Sequence, residues 1–279
     1  MIYVSSSCIK NSDIIQCVQT LIEHDIYFVE LSGGGNFIPD SIAELLKLQD
    51  KYALHFLVHN YFPPPKNHFI LNLASVDDLT WNNTINFMKH SIDIACQLAS
   101  PVYGVHAGFY INPHVHEIGQ KFQKHTIFDK AKALKRFVEG YLILQDYNKD
   151  RIKLYIENNV ISLANYQTYS ENPFMLTTFE EYEELSQLID FSLLFDIGHY
   201  KVSANVLKKD FTNTVEQFLK QSEYIHISDN DGKSDLNFLP SNDSLIYTIL
   251  SKIAHTHRYI TLEISVPIEK LSQFYKGIM

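Results

Sequence analysis

The sequence predicts an α/β chain folded as a single (β/α)8 barrel. Three observations predict it: eight short runs rich in β-branched and aromatic residues, helix-length amphipathic segments between them, and long irregular stretches that follow strands rather than helices. A length of 279 residues suits one such domain over 1–279, because these barrels commonly occupy about 250 residues.

The strand candidates are Ile2–Ser5, Tyr27–Leu31, Ala53–Val58, Val102–His106, Lys153–Glu157, Ser192–Asp196, Tyr224–Ile227 and Tyr259–Ile264. Between them, Ile14, Val18, Leu21, Ile22 and Ile85, Met88, Ile92, Ala95 recur at helical spacing. Ser41 is expected to cap a helix over Ile42–Leu48, and Thr178 with Glu181 has the spacing of a capping box. The irregular stretches are Asn60–Trp81, with its Pro63-Pro64-Pro65 run, Ala107–Gly119, Asn158–Leu176 and Asp229–Asp243. In a parallel barrel the loops after the strands build the site, so function is expected at strand C-termini. A doubly wound open sheet is the structural alternative, but Gly33-Gly34-Gly35 lacks the GxGxxG spacing of a dinucleotide fingerprint.

The formal net charge of −9 argues against a nucleic-acid partner, which calls for a basic stripe. Cys8, Cys17 and Cys96 are an odd number without any CxxC, which fits a reducing cytoplasm rather than a disulfide framework. The opening MIYVSSSCIKNSD has no basic and then apolar leader pattern, and no apolar run reaches the roughly 20 residues a bilayer needs. Neither secretion nor a membrane partner is expected.

At the predicted strand ends stand His59 in LVHNY, His106 in YGVHAG, Glu157 in LYIENN, Asp196 and His199 in LLFDIGH, His226 in YIHISDNDG and Glu263 in TLEIS. Barrel closure brings such ends around one axis, so residues far apart in sequence can converge. Carboxylates gathered at a dry mouth repel one another unless a cation lies among them. The mixture of imidazole and carboxylate suits Zn, Mn, Co or Fe, and is compatible with Mg. Each element alone has a plainer reading. A single His after a strand is more often structural, and Asp196-Ile-Gly-His199 is equally the spacing of a turn, with Gly198 at positive φ and Asp196 as cap. A Glu inside the apolar run Leu154–Glu157 is harder to account for. Six strand ends bearing ligand types favour a metal.

IEN at Glu157, FDIGH at Asp196 and His199, and HISDNDGKSD from His226 to Asp235 lie within a stretch from VELSGGG to TLEIS that resembles the xylose isomerase-like TIM barrels. That superfamily joins sugar isomerases and epimerases to the endonuclease IV type of apurinic DNA repair enzymes. The resemblance implies one metal, Zn or Mn in preference to Co or Mg, held by Glu157, Asp196, His226 and Glu263. It implies a second at His59, His106 and Glu157. A third would need His199, Asp235 and a His where this chain has Asn237. The implied activity is isomerisation or epimerisation of a sugar or sugar phosphate through a cis-enediolate, with Glu157 and Glu263 as the catalytic pair exchanging protons. His199, Asp235, Lys233 and Glu30 would meet substrate, while Tyr61, Phe62, Phe109 and Tyr110 would form an apolar wall or simply pack the loops. The expected partner is a small carbohydrate, and a homodimer and a homotetramer are both compatible. The alternatives are an endonuclease IV-like phosphodiesterase acting on abasic DNA, a polyol or keto-sugar dehydratase, and a non-catalytic sugar-binding barrel.

Overall fold

The computed structural model describes residues 1–10, 12–33 and 35–279, which leaves Gly34 of the triple glycine outside the described residues. Eight parallel strands close in sequence order into a barrel: β1 (Ile2–Ser5), β2 (Phe28–Leu31), β3 (His55–His59), β4 (Val102–His106), β5 (Lys153–Glu157), β6 (Ser192–Asp196), β7 (Ser222–Ile227) and β8 (Tyr259–Leu262). Among the described residues ten α-helices accompany them: α1 (Ile14–Glu23), α2 (Ser41–Tyr52), α3 (Asp78–Gln97), α4 (Lys130–Asn148), α5 (Leu163–Tyr169), α6 (Phe179–Ser186), α7 (Ile197–Leu207), α8 (Phe211–Gln221), α9 (Leu245–Ile253) and α10 (Ile268–Ile278). No described helix is long and apolar enough to cross a membrane.

Four strands, β1, β4, β5 and β6, match the sequence-based bounds to the residue. The third begins two residues later than expected, because Ala53 takes a left-handed conformation (φ 52°) and terminates α2. Ser41 is not the cap of α2 but its first residue; Asp40 precedes it with φ 56° and makes no side-chain capping bond. The Thr178 capping box is present: its side chain accepts from the Glu181 N–H at 3.3 Å, and the Glu181 carboxylate accepts from the Thr178 N–H at 3.2 Å.

Two apolar shells follow from strand alternation. Outward-facing residues such as Val4, Val29, Phe56, Val58, Ile156 and Phe195 pack against the helices. Inside, Tyr3, Leu57, Val102, Tyr155, Leu194, Tyr224 and Tyr259 fill the barrel, with Tyr155 and Tyr259 each meeting Tyr224 at ring separations of 5.3 and 5.7 Å. Because successive side chains on a strand face opposite sides, the residue two further on also faces inward. Leu57 is thus followed by His59, Tyr155 by Glu157, Leu194 by Asp196 and Tyr224 by His226. An aromatic plug closes the interior below, and a layer of ligand-type side chains lies above it. Gly104 makes room in that layer: a Cβ there would stand 2.8 Å from Leu194 and 3.0 Å from the His59 ring.

The loops over the mouth are fastened by buried asparagines. Asn72, 1% exposed, accepts from the Ala74 and Phe109 N–H groups and donates to the Phe109 and Ile111 carbonyls at 2.9–3.2 Å. It locks the loop after β3 to the loop after β4. Asn72→Ala leaves these backbone groups to find new partners, and should lower stability by roughly 3 kcal/mol in urea unfolding. A loss below about 0.5 kcal/mol, the level of a neutral surface change, would show that the loops hold without it.

Candidate metal centre

Glu157 is the hub of the mouth. Fully buried at the end of β5, its carboxylate lies 2.8 Å from His59 Nε2, 3.1 Å from His106 Nδ1, 3.3 Å from His226 Nδ1 and 3.7 Å from His199 Nδ1. Burial opposes its ionisation, yet His106, His59 and His226 outweigh it and hold the carboxyl well below its ordinary range. Donor atoms of His59, His106 and Glu157 fall within 4.8 Å of one another, as do those of Glu157, Asp196 and His226. Glu263, just past β8, groups instead with Glu30 and His59, and reaches the second set through His226 Nδ1 at 3.6 Å. The strand-end residues therefore form one continuous cluster.

His226 carries the most information. Its Nε2 lies 3.0 Å from Glu30 Oε2, and a carboxylate only accepts, so the ring proton sits on Nε2. The opposite nitrogen, Nδ1, is buried without a hydrogen-bond partner, as is Glu157 Oε1. This Nδ1 faces Glu157 at 3.3 Å, Glu263 at 3.6 Å and Asp196 at 3.9 Å. A lone pair turned toward three carboxylates is stable only with a proton or a cation between them. Burial lowers the His226 pKa, but Glu30, Glu263 and Glu157 raise it well above its ordinary value; the site demands positive charge at that point. The orphaned atoms and the imidazole–carboxylate donor set fit a divalent metal.

Asp196 serves two purposes. Its Oδ1 accepts from the His199 N–H at 2.7 Å and caps α7, while Oδ2 faces the cluster. The side chain of Asn158 braces its backbone, accepting from the Asp196 N–H at 2.7 Å and donating to the Asp196 carbonyl at 3.0 Å. Burial pushes the Asp196 carboxyl up to about 6, against the pull of His199. Of the plainer reading of Asp196–His199 as a turn, the Asp196 cap holds but the turn is the first turn of α7: Gly198 is helical and has no positive φ, and a Cβ on it would stand 2.3 Å from Ser228 Oγ. His199 Nδ1 bonds the Asn158 carbonyl at 2.8 Å, which turns Nε2 toward Asp235 at 3.4 Å and Asp196 at 3.9 Å. Asp235 Oδ1 is buried and unpartnered. Asn237 has φ 50° and lends its carbonyl to the Ser265 N–H.

Other expected contacts stand differently. Glu30 is fully buried, its carboxylate accepting from His226, Tyr224, Thr261 and Ser32, so it presents no free oxygen at the mouth. Lys233 is exposed in a turn held by Asp231, whereas Lys201 of α7 bonds Asp229 and the Asn230 carbonyl. Tyr61 stacks on Phe87 at 5.2 Å, Phe62 is fully buried and Phe109 packs edge-on to Phe174; these aromatics pack the loops. Sequence reasoning passed over Asn158, Lys201 and Asn159, whose buried amide donates to the Ala107, Gly108 and Met175 carbonyls at 2.9–3.1 Å. The Asn doublet directly after Glu157 was the available signal.

The chain resembles solved structures along nearly its whole length. A D-tagatose 3-epimerase-like protein superposes with TM-score 0.72 at 20% identity, covering 99% of this chain and 97% of that one. The 3-keto-D-glucoside 4-epimerase from E. coli gives 0.69 at 10% identity, covering 99% and 98%. Endonuclease IV from Thermus thermophilus gives 0.62 at 14% identity, covering 99% and 97%. No curated protein sequence matches it. The family model described as xylose isomerase-like TIM barrel matches residues 18–270, and the chain belongs to that family.

Proposed function

We propose that this protein is a metal-dependent isomerase or epimerase of a sugar or sugar phosphate. The observation that carries the reading is His226 Nδ1, buried without a hydrogen-bond partner, turned toward three carboxylates and fixed there by Glu30. Glu157, Asp196, His226 and Glu263 would hold the ion, with zinc or manganese preferred for this donor set. When bound, a divalent ion supplies Lewis acidity that makes a C–H beside a carbonyl more acidic. Glu157 and Glu263, three strands apart around the mouth, would remove and return that proton through a cis-enediolate. Asp235, a quarter exposed, with the buried His199 behind it anchored by Asn158, would meet a substrate hydroxyl. Epimerase neighbours and the family support the reading.

The test is proton exchange. Protein loaded with Mn or Zn is incubated in deuterated water with a panel of ketoses, aldoses and their phosphates, and carbon-bound deuterium is followed by NMR. Wash-in at a carbon next to the carbonyl is expected for at least one substrate. No wash-in across the panel with metal bound would sink the reading.

A phosphodiesterase reading rests on a different observation, the His59, His106 and Glu157 donor group beside the first. It is the weaker one, because a third position around His199 and Asp235 has Asn237 where an imidazole is wanted, and an amide oxygen is a poor zinc ligand. Nicking of an abasic-site duplex would favour it.

A further inference from the structure

A second group of ligand-type side chains lies outside the barrel mouth, in the loop between β4 and α4. We propose that His114, Glu117 and His125 form a separate site for a Zn(II)-type cation that clamps this loop over the β4–β5 side of the mouth. One donor atom from each lies within 4.8 Å of the others. Glu117 is 3% exposed and its carboxylate is aimed by backbone: the His114 N–H donates to Oε2 at 2.6 Å and the Gln123 N–H to Oε1 at 2.7 Å. His125 Nε2 meets Oε2 at 2.7 Å. The His114 ring lies edge-on to His125 at 5.2 Å, and His116 stacks on His114 at 5.5 Å.

A hydrogen-bonded pair needs one imidazole; here a second imidazole brings a ring nitrogen within 4.8 Å of the same carboxylate, and a third stacks behind it. Two imidazoles and one carboxylate make a three-ligand zinc set, with water or His116 available for the fourth position. Burial would push the Glu117 carboxyl up, but the two backbone donors and His125 more than offset it and bring it to about 2, so the anion is present at any ordinary pH. Zinc bonds of about 2.0–2.2 Å set ligand atoms roughly 3.3 Å apart. The ion therefore takes the place of the proton between His125 and Glu117 and parts them by about 0.6 Å, while the ring proton moves to Nδ1. His114 is exposed and provides the entry.

The clamp acts on the mouth through its neighbours. The His125 N–H donates to the Tyr169 hydroxyl at 3.1 Å, that hydroxyl donates to the Gln123 carbonyl at 2.7 Å, and the Phe122 N–H donates to Asn165 at 2.8 Å. Tyr169 and Asn165 belong to α5, in the segment after Glu157, and the clamped loop itself starts after His106. An ion held here would stiffen the wall between those two strands.

The test counts zinc in the full-length protein after equilibrium dialysis and follows amide exchange over 107–129. His114→Ala removes an exposed ring, and His125→Gln keeps a donor for Glu117 while losing the ligand nitrogen, so both variants should fold. Each is expected to weaken one zinc per chain by at least the roughly 10- to 100-fold that loss of even an outer partner costs. The mouth zinc should remain, and the zinc-dependent amide protection of 107–129 should disappear. Equal zinc in wild type and both variants, or wild-type loop exchange indifferent to zinc, overturns the proposal. If the mouth binds no metal, the wild type still holds this one ion, so the two readings fail separately.

Discussion

Glu157→Gln should abolish the extra thermal stability that an ion at the mouth confers, leaving with zinc only the share of the His114, Glu117 and His125 loop site, and lower turnover by about 10²–10⁴-fold, the range of a lost proton-transfer group. A ligand at about a thousand times its Kd adds about 4 kcal/mol to the folded state, which for a chain of this size is on the order of 10 °C in Tm. Glu157 belongs to two of the three donor groups of the mouth, the one with His59 and His106 and the one with Asp196 and His226; in the third, with His59 and Glu263, the Glu30 oxygens are already taken by hydrogen bonds. Its loss therefore strikes every ion the mouth could hold. Asp196→Asn touches only one group, and His106→Ala only the other. If one ion binds, at Asp196, then His106→Ala keeps most of the metal-induced shift; if two bind, each single variant keeps part of it. Differential scanning calorimetry with and without added metal reads all three. An unchanged metal shift in Glu157→Gln would show that the mouth is not a metal site.

The barrel was legible because its strands carry a two-residue alternation that survives at their ends. Tyr155 then Glu157, and Leu194 then Asp196, place apolar filler and ligand on one interior face, and a polar residue closing an apolar run is a visible departure. What the sequence hides is conformation that short-range patterning does not encode. Nothing in ALHF announces that Ala53 turns left-handed and delays β3. Gly198 looks like a turn residue, yet its lack of a Cβ answers to Ser228, thirty positions away. The His114, Glu117 and His125 spacing would suit one face of a helix, yet the segment is an irregular loop, and the grouping depends on the path of that loop. Glu30 was the hardest to assign: a carboxylate at a strand end reads as a pocket group, and only the fold reveals that His226, Tyr224 and Thr261, some two hundred residues on, all donate to it.

That arrangement makes Glu30 testable as a positioning residue. Its Oε2 accepts three buried donors, and its other oxygen takes Ser32 at 3.2 Å and lies 3.8 Å from His59 Nδ1. Glu30→Gln can keep an oxygen toward His226, Tyr224 and Thr261 and place its amide near Ser32, so the fold survives while the negative charge is lost. The charge matters because it keeps the His226 proton on Nε2 and makes Nδ1 a stronger donor. Metal affinity at the mouth should therefore fall about 10- to 100-fold, and activity should return toward the wild-type kcat as metal is raised, with substrate KM nearly unchanged at saturation. A residue contacting sugar would give the opposite pattern: raised KM, unaltered metal affinity and no rescue by metal. Glu30→Leu leaves the donors of His226, Tyr224 and Thr261 without an acceptor in the barrel interior, at about 1–3 kcal/mol each, and is expected to unfold the protein rather than tune it. The contrast between Gln and Leu separates the charge of Glu30 from its hydrogen bonds, and unchanged metal affinity in the Gln variant would remove Glu30 from the metal's support.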